Sequence, residues 1–158
     1  MNRFVVLLML VGLAGGCGKQ AVQNDTPAVV TAVERAPLVA GYEALRDRFA
    51  NDDLDGVKAT AASYAKVAAG AGEEALGKQA DATSKQPDLV AARLAFGELS
   101  RMYFGVLSKK AELAQGLFAF RCPMAEGYQK WVQVDETMKN PYMGKRMLEC
   151  GSKTDFVP

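Results

Sequence analysis

Leu89-Val90-Ala91-Ala92-Arg93-Leu94-Ala95-Phe96-Gly97-Glu98-Leu99-Ser100-Arg101-Met102-Tyr103-Phe104-Gly105-Val106 decides the fold. Leu89, Ala92, Phe96, Leu99, Tyr103 and Val106 recur at steps of three and four, so they form one apolar stripe on a helix. A stripe of this kind fits a helical bundle, where neighbouring helices bury it.

The same rhythm runs upstream. A first helix starts near Pro37, a residue that suits a first helical turn. It carries Leu38, Tyr42, Leu45 and Phe49 on one face, with Arg46, Asp47 and Arg48 mostly off it. Asn51-Asp52-Asp53 breaks this helix and can cap the next. The second helix aligns Leu54, Val57, Ala61, Tyr64 and Ala68, and Gly70-Ala71-Gly72 closes it. A weaker, alanine-rich helix runs from Glu73 to about Thr83, with Leu76 as its large apolar residue, and Ser84-Lys85-Gln86-Pro87 is a turn. Core packing accounts for Tyr42, Tyr64 and Tyr103; a cofactor groove lined by the three is the alternative.

After Gly116 the rhythm changes. Leu117-Phe118-Ala119-Phe120 and Tyr128-Gln129-Lys130-Trp131-Val132-Gln133 suit short strands, joined by Cys122-Pro123-Met124-Ala125-Glu126-Gly127. Asn140-Pro141 marks a turn, and Met143 to about Cys150 can form one short helix ended by Gly151. The expected fold class is therefore all-α: an antiparallel bundle of about four helices with a small C-terminal β-hairpin and a short terminal helix. The domain spans 37–151, followed by a C-terminal extension over 152–158.

The start of the chain is of another kind. Arg3 precedes an apolar run, Phe4 to Val11, and small residues lead to Cys17, the order of a secretory signal peptide over Met1–Gly16. The run falls far short of the roughly 18 residues that span a bilayer. Ala14-Gly15-Gly16-Cys17 resembles a lipobox, although leucine is usual where Ala14 stands. The resemblance implies cleavage before Cys17 and lipidation of that cysteine. Gly18, where aspartate would retain an inner-membrane lipoprotein, implies the outer membrane, with the domain facing the periplasm. Residues 17–36 then read as the lipidated cysteine and a polar tether.

Composition excludes several functions. The sequence has 19 Lys and Arg against 18 Asp and Glu, and removing Arg3 with the signal leaves the two signs equal. No basic field exists for nucleic acid. Histidine is absent, which removes Ser-His-Asp and Cys-His catalysis and every imidazole metal site. No glycine-rich phosphate loop appears, and the chain is read as a non-enzyme.

Sulfur is what remains. Besides Cys17 there are two cysteines, Cys122 and Cys150, and Met124, Met138, Met143 and Met147 share the tail with them. On a helix Met143, Met147 and Cys150 are spaced four and three apart and face one way. If the Cys122–Met124 turn packs over that face, up to five sulfurs surround one point. Thiolate and thioether sulfur select Cu(I), and by analogy Ag(I). The competing reading is a Cys122–Cys150 disulfide in an oxidising compartment. Closing that loop is worth about 3–4 kcal/mol in the chain-entropy model, with the methionines filling gaps. Residue types alone leave both open.

The tail also carries a resemblance. Cys122-Pro123-Met124-Ala125, Trp131-Val132-Gln133, Asn140-Pro141-Tyr142-Met143-Gly144 and Met147-Leu148-Glu149-Cys150-Gly151 resemble an exported domain family of unknown function. That family's pattern runs C-P-M-A, W-x-Q, N-P-Y-x-G and M-L-x-C-G. Arg93, Phe96, Leu99 and Ser100 are similar to its R-x-x-F-x-x-L-S helix. The family occurs alone or at the C-terminus of periplasmic adaptors of copper/silver (Cus-type) efflux systems. The resemblance implies a periplasmic bundle with a small tail and a role in heavy-metal handling. Met143 departs from it, standing where the family usually has an aromatic residue.

Two functions follow as expectations. One is a metal-binding accessory lipoprotein, with Cys122 and Cys150 as thiolate ligands of Cu(I) or Ag(I), Met124 and Met147 as thioether ligands and Met143 as a further candidate. Its partners would be the membrane, through Cys17, and an efflux adaptor or metal carrier; Trp131 and Tyr142 either shield the site or belong to the core. The other is a disulfide-stapled structural or interaction module.

Overall fold

A computed structural model describes residues 36–157. The expected signal peptide, Cys17 and all of the expected tether but Ala36 lie outside the described residues. Among the described residues no helix is long and apolar enough to cross a membrane.

Four helices come first: α1 (Pro37–Ala50), α2 (Leu54–Gly70), α3 (Glu74–Ser84) and α4 (Leu89–Lys109). Their ends follow from local chemistry. Pro37 opens α1. Asp53 Oδ1 accepts from Gly56 N at 2.9 Å and Asp88 Oδ1 from Ala91 N at 2.9 Å, capping α2 and α4. The expected stripes are buried at Leu38, Tyr42, Leu45 and Phe49 on α1, Val57, Ala61, Tyr64 and Ala68 on α2, and Ala92, Phe96, Leu99, Tyr103 and Val106 on α4, while Leu54 and Leu89, at the helix starts, are only partly buried. Each buried Leu or Phe contributes roughly 1.5–3 kcal/mol relative to exposure.

The tyrosines belong to this core. Tyr42 stacks on Tyr103 with ring centroids 4.2 Å apart and meets Phe96 at 5.7 Å. Rings this close leave no groove between them, so the cofactor-groove alternative does not hold for Tyr42 and Tyr103. Burial pushes the hydroxyls of Tyr42 and Tyr103 well above the ordinary tyrosine range.

Helix α4 buries more than its stripe. Gly97, Ser100, Phe104 and Leu107 are also covered, because the tail packs on this second face. Phe104 meets Tyr128 and Phe156. Gly97 lets the Tyr128 backbone approach: a Cβ at Gly97 would sit 3.2 Å from the Tyr128 carbonyl. Ser100 Oγ shares a 2.6 Å hydrogen bond with Tyr42 and donates to the Lys130 carbonyl at 2.9 Å. Arg46, expected mostly off the apolar face, is only 2% exposed. The tail covers it, and its guanidinium pairs with Glu43 at 2.7 Å and donates to the Lys139 carbonyl.

Two tail expectations need correction. The hairpin is part of a three-stranded antiparallel sheet, β1 (Phe118–Arg121), β2 (Lys130–Gln133) and β3 (Ser152–Lys153), in the order β2-β1-β3. Phe120 pairs with Trp131 and stacks on it at 5.5 Å. The strand β3 comes from the segment assigned to a C-terminal extension, and Thr154 N continues the ladder to the Ala119 carbonyl. The molecule is thus mostly helical with a small sheet.

The short helix over Met143–Cys150 does not form. Gly144–Arg146 is a single 3₁₀ turn. Gly144 has φ +59°, and a Cβ there would overlap Asp52 Oδ1 and Arg93 Nη2. A residue held in the left-handed region cannot continue a right-handed helix. Asn140 supplies the alternative: its Oδ1 accepts from Tyr142 N at 2.8 Å and Met143 N at 3.1 Å, and its own N–H donates to the Leu148 carbonyl. The segment winds around this buried side chain as a series of turns.

Candidate functional site

Register brings the two cysteines together. Strand β3 pairs with β1 as Phe120↔Lys153 and Arg121↔Ser152. One step further sets Cys122 opposite Gly151, next to Cys150. The sulfurs are 3.6 Å apart. Cys122 is buried and Cys150 partly exposed, and both are free thiols. Gly151, at φ +143°, allows the passage: a Cβ there would lie 2.7 Å from the Arg121 carbonyl and 3.2 Å from Met138 Sδ.

Polar contacts fix both segments. Cys122 N donates to the Gln129 carbonyl at 2.9 Å. Gln129 Nε2 donates to the Pro123 and Ala125 carbonyls, both at 3.1 Å, and so shapes the turn that bears Met124. Asn140 Nδ2 donates to the Cys150 carbonyl. Gln133 closes the intervening loop, accepting from Trp131 Nε1 and Lys139 N, both at 3.0 Å, and donating to the Asp135 and Thr137 carbonyls. Asn140 and Gln133 are fully buried. Each buried amide left unpaired would cost about 1–3 kcal/mol, so these bonds hold the tail in one arrangement.

A second lock ties this loop to the bundle. Asp52 accepts from Arg93 through Oδ1 and from Lys145 N at 3.0 Å through Oδ2. Arg93 donates also to the Pro141 carbonyl at 3.0 Å and the Phe49 carbonyl at 3.2 Å. Asp52 takes φ +56°, a conformation that Asp and Asn tolerate better than most residues. Partial burial would raise its pKa; the hydrogen bonds from Arg93 and Lys145 N outweigh that and hold the carboxyl below the usual range.

The structure brings together three of the five proposed metal ligands. Met124 Sδ lies 3.7 Å from Cys150 Sγ, so Cys122, Cys150 and Met124 form a run of touching sulfurs. Met143 and Met147 lose the helix face that would have aligned them with Cys150. Met147 is 37% exposed, and Met143 lines a surface groove together with Met124. Met138, not singled out as a ligand, has its sulfur against Gly151, beside Cys150. Trp131 and Tyr142 are core: Trp131 is sealed between Phe120 and Tyr142, and Tyr142 OH donates to the Lys130 carbonyl at 2.7 Å.

Chemically the arrangement suits a soft ion or a cross-link. Ligands on one ion with metal–sulfur bonds of about 2.3 Å stand roughly 3.8–4.0 Å apart, close to the spacings seen here. A disulfide instead needs the sulfurs at about 2.05 Å. Among the described residues no group of three or more Cys, Asp or Glu side chains converges as a metal site. The hydrogen bond shared with Cys122, then desolvation, raises the Cys150 thiol above its ordinary value. An ion bound through this sulfur as thiolate would displace a proton.

No protein-family model matches the chain, and neither a curated protein nor a solved structure matches it, so the family resemblance rests on its own motifs.

Proposed function

We propose that this is an exported, lipid-anchored envelope protein, facing the periplasm, that binds Cu(I) or Ag(I) and assists heavy-metal efflux. Cys122 and Cys150 serve as thiolates and Met124 as the thioether. The observation that carries this reading is the run of three sulfurs, Cys122 to Cys150 at 3.6 Å and Cys150 to Met124 at 3.7 Å. Soft ligands of this kind discriminate against harder ions, and the absence of histidine leaves sulfur as the characteristic donor. Met147 and Met143 remain candidate ligands that would have to swing in when the ion binds. The lipid anchor and outer-membrane location rest on the lipobox-like Ala14–Cys17 and on Gly18.

Anaerobic competition with a chromophoric Cu(I) chelator tests the site. Reduced protein is expected to take one Cu(I) per chain, and Cys122→Ser with Cys150→Ser to take none. A double variant that holds Cu(I) as tightly as the parent would overturn the proposal.

The same 3.6 Å contact supports a second reading, a disulfide-stapled interaction module without metal. Thiol counting on protein taken directly from the cell envelope separates the two. Fully oxidised cysteines and no bound metal would favour the staple.

A further inference from the structure

The two thiols are unequal. Cys122 is fully buried, whereas Cys150 is partly exposed and ends a run of exposed residues, Lys145 to Glu149. Neither needs a bond to the other to be held in place. Cys122 N donates to the Gln129 carbonyl at 2.9 Å, Cys150 N to the Met147 carbonyl at 3.1 Å, and Asn140 Nδ2 holds the Cys150 carbonyl. Pairing of β3 with β1 begins directly after Gly151. Hydrogen bonds thus fix the tail with both sulfurs reduced. The sulfurs, 3.6 Å apart, need to close by only about 1.5 Å to reach bonding distance. A scaffold that stands in the dithiol form and already holds the sulfurs in contact accommodates both oxidation states.

We infer that Cys150 and Cys122 are a redox-active pair that exchanges with a low-molecular-weight disulfide, Cys150 as the attacking sulfur and Cys122 as the resolving one; the inference rests on the thiol contact behind both readings above and requires no metal. Cys122 Sγ at 3.6 Å and Met124 Sδ at 3.7 Å flank Cys150 Sγ, so the approach left open suits a small, unhindered disulfide. In the first step the Cys150 thiol gives its proton to solvent and the thiolate attacks one sulfur of the incoming disulfide. That bond breaks, and one small thiolate leaves with the electron pair and takes up a proton. In the second step Cys122 loses its proton and attacks Cys150 Sγ, the mixed disulfide breaks, and the second small thiol departs. Two electrons and two protons have then passed from the pair to the small disulfide. The fold holds Cys122 at contact, so the second step is intramolecular and outruns attack by an external thiol. The closed form has no thiolate to offer a soft ion.

The test uses oxidised glutathione and the reduced chain carrying Cys17→Ser, so that the pair supplies the only thiols. The intact mass should fall by two hydrogens with no glutathione retained, and excess reduced glutathione should restore the dithiol without denaturant. Acid quenching early in the reaction should trap glutathione on Cys150 and none on Cys122. Cys122→Ser should stop at the Cys150 adduct. Cys150→Ser should react about tenfold more slowly than the parent, or slower still, because buried Cys122 is then the only target. The parental rate should climb about tenfold per pH unit between about pH 6 and 8, since only the thiolate attacks and the hydrogen bond with Cys122, then desolvation, holds the Cys150 thiol above its ordinary value. Early adducts on Cys122, a pair that stays reduced in excess oxidised glutathione, or a disulfide that reopens only on unfolding would each overturn the inference; the last would leave a permanent staple in its place. The copper competition is run on reduced protein and is untouched by these outcomes, so the metal site stands or falls separately.

Discussion

The bundle and the tail share one apolar core but are positioned by different signals. The bundle, 37–109, is organised by apolar stripes that each helix carries in its own sequence, and most of each stripe is buried. The tail, 117–157, has short strands; it adds Phe120, Trp131, Val132 and Tyr142 to the core, and its loops are organised by buried polar hubs. Gln133 spans to Lys139, Asn140 to Cys150, and Asp52 reaches Lys145 across 93 residues. The bundle supplies a surface, and the tail carries the sulfur cluster, fixed by hydrogen bonds whose removal leaves groups stranded. Locally encoded packing gives stability, while non-local polar pairing gives a defined geometry to the thiols.

Phe96→Ala should test the dependence of one region on the other with the largest effect. Phe96 is fully buried, lies 4.7 Å from Phe49 in the bundle and 5.8 Å from Tyr142 in the tail. Truncation is expected to cost about 3–5 kcal/mol. Urea unfolding followed by far-UV circular dichroism and by fluorescence of Trp131 reads the two regions separately, since the one tryptophan lies in the tail. Both signals should move together; a tail that keeps its midpoint would mean that it folds without the bundle. Asn140→Ala should do the opposite. It removes partners from two N–H groups and the Cys150 carbonyl, at a cost of about 2–3 kcal/mol, confined to the tail. Trp131 fluorescence and Cys122 reactivity are then expected to respond at lower urea than the helical signal. Coincident transitions in this variant would erase the distinction between the regions.

Metal affinity sharpens the contrast through pH. The Cys150 thiol is held above its ordinary pKa, chiefly by its hydrogen bond with Cys122. Affinity for Cu(I) should therefore rise with pH throughout the neutral range, as proton release accompanies binding. Affinity that is flat between about pH 6 and 8 would mean that the thiols are not the ligands.

How far the sequence could be read follows the same division. Helix bounds, the Asp53 cap and the buried stripes were all legible, because helical period and capping are local signals. Strands β1 and β2 were legible from aromatic content. Strand β3 was not: Ser152 and Lys153 carry no strand pattern, and only pairing with Phe120 and Arg121 makes them one. Yet that pairing, not a shared helix face, sets Cys122 beside Cys150. The spacing of Met143, Met147 and Cys150 misled because Gly144 takes φ +59°, where a right-handed helix cannot continue. The burial of Arg46 was hidden for a similar reason, since its cover comes from Lys139. Asn140 and Gln133 stood in the quoted motifs, but a motif letter does not say that its amide will be the hub of a loop.

The smallest expected effect concerns the lock between the regions. Asp52 carries a folded-state pKa below the value of about 3.9 for an unfolded aspartate. Its contribution is thus complete above that unfolded value and is lost as pH falls through the folded one. With Asp52 about one-third exposed, the charge is worth about 1 kcal/mol after solvent screening. Asn also tolerates the left-handed backbone at this position, so Asp52→Asn removes the charge without adding backbone strain. At pH 7 the variant should have a slightly looser tail, seen as faster Cys122 labelling, with its helical signal unchanged. Acid titration of Trp131 fluorescence below pH 4 should show a step in the parent that is reduced in the variant. Asp155, whose pKa is lowered first by its hydrogen bond and then by its charge pairing with Lys130, is the competing acid on the tail. If Asp155→Asn removes the step and Asp52→Asn leaves it intact, the grip on the tail lies at its C-terminal end and not at the Asp52–Arg93 lock.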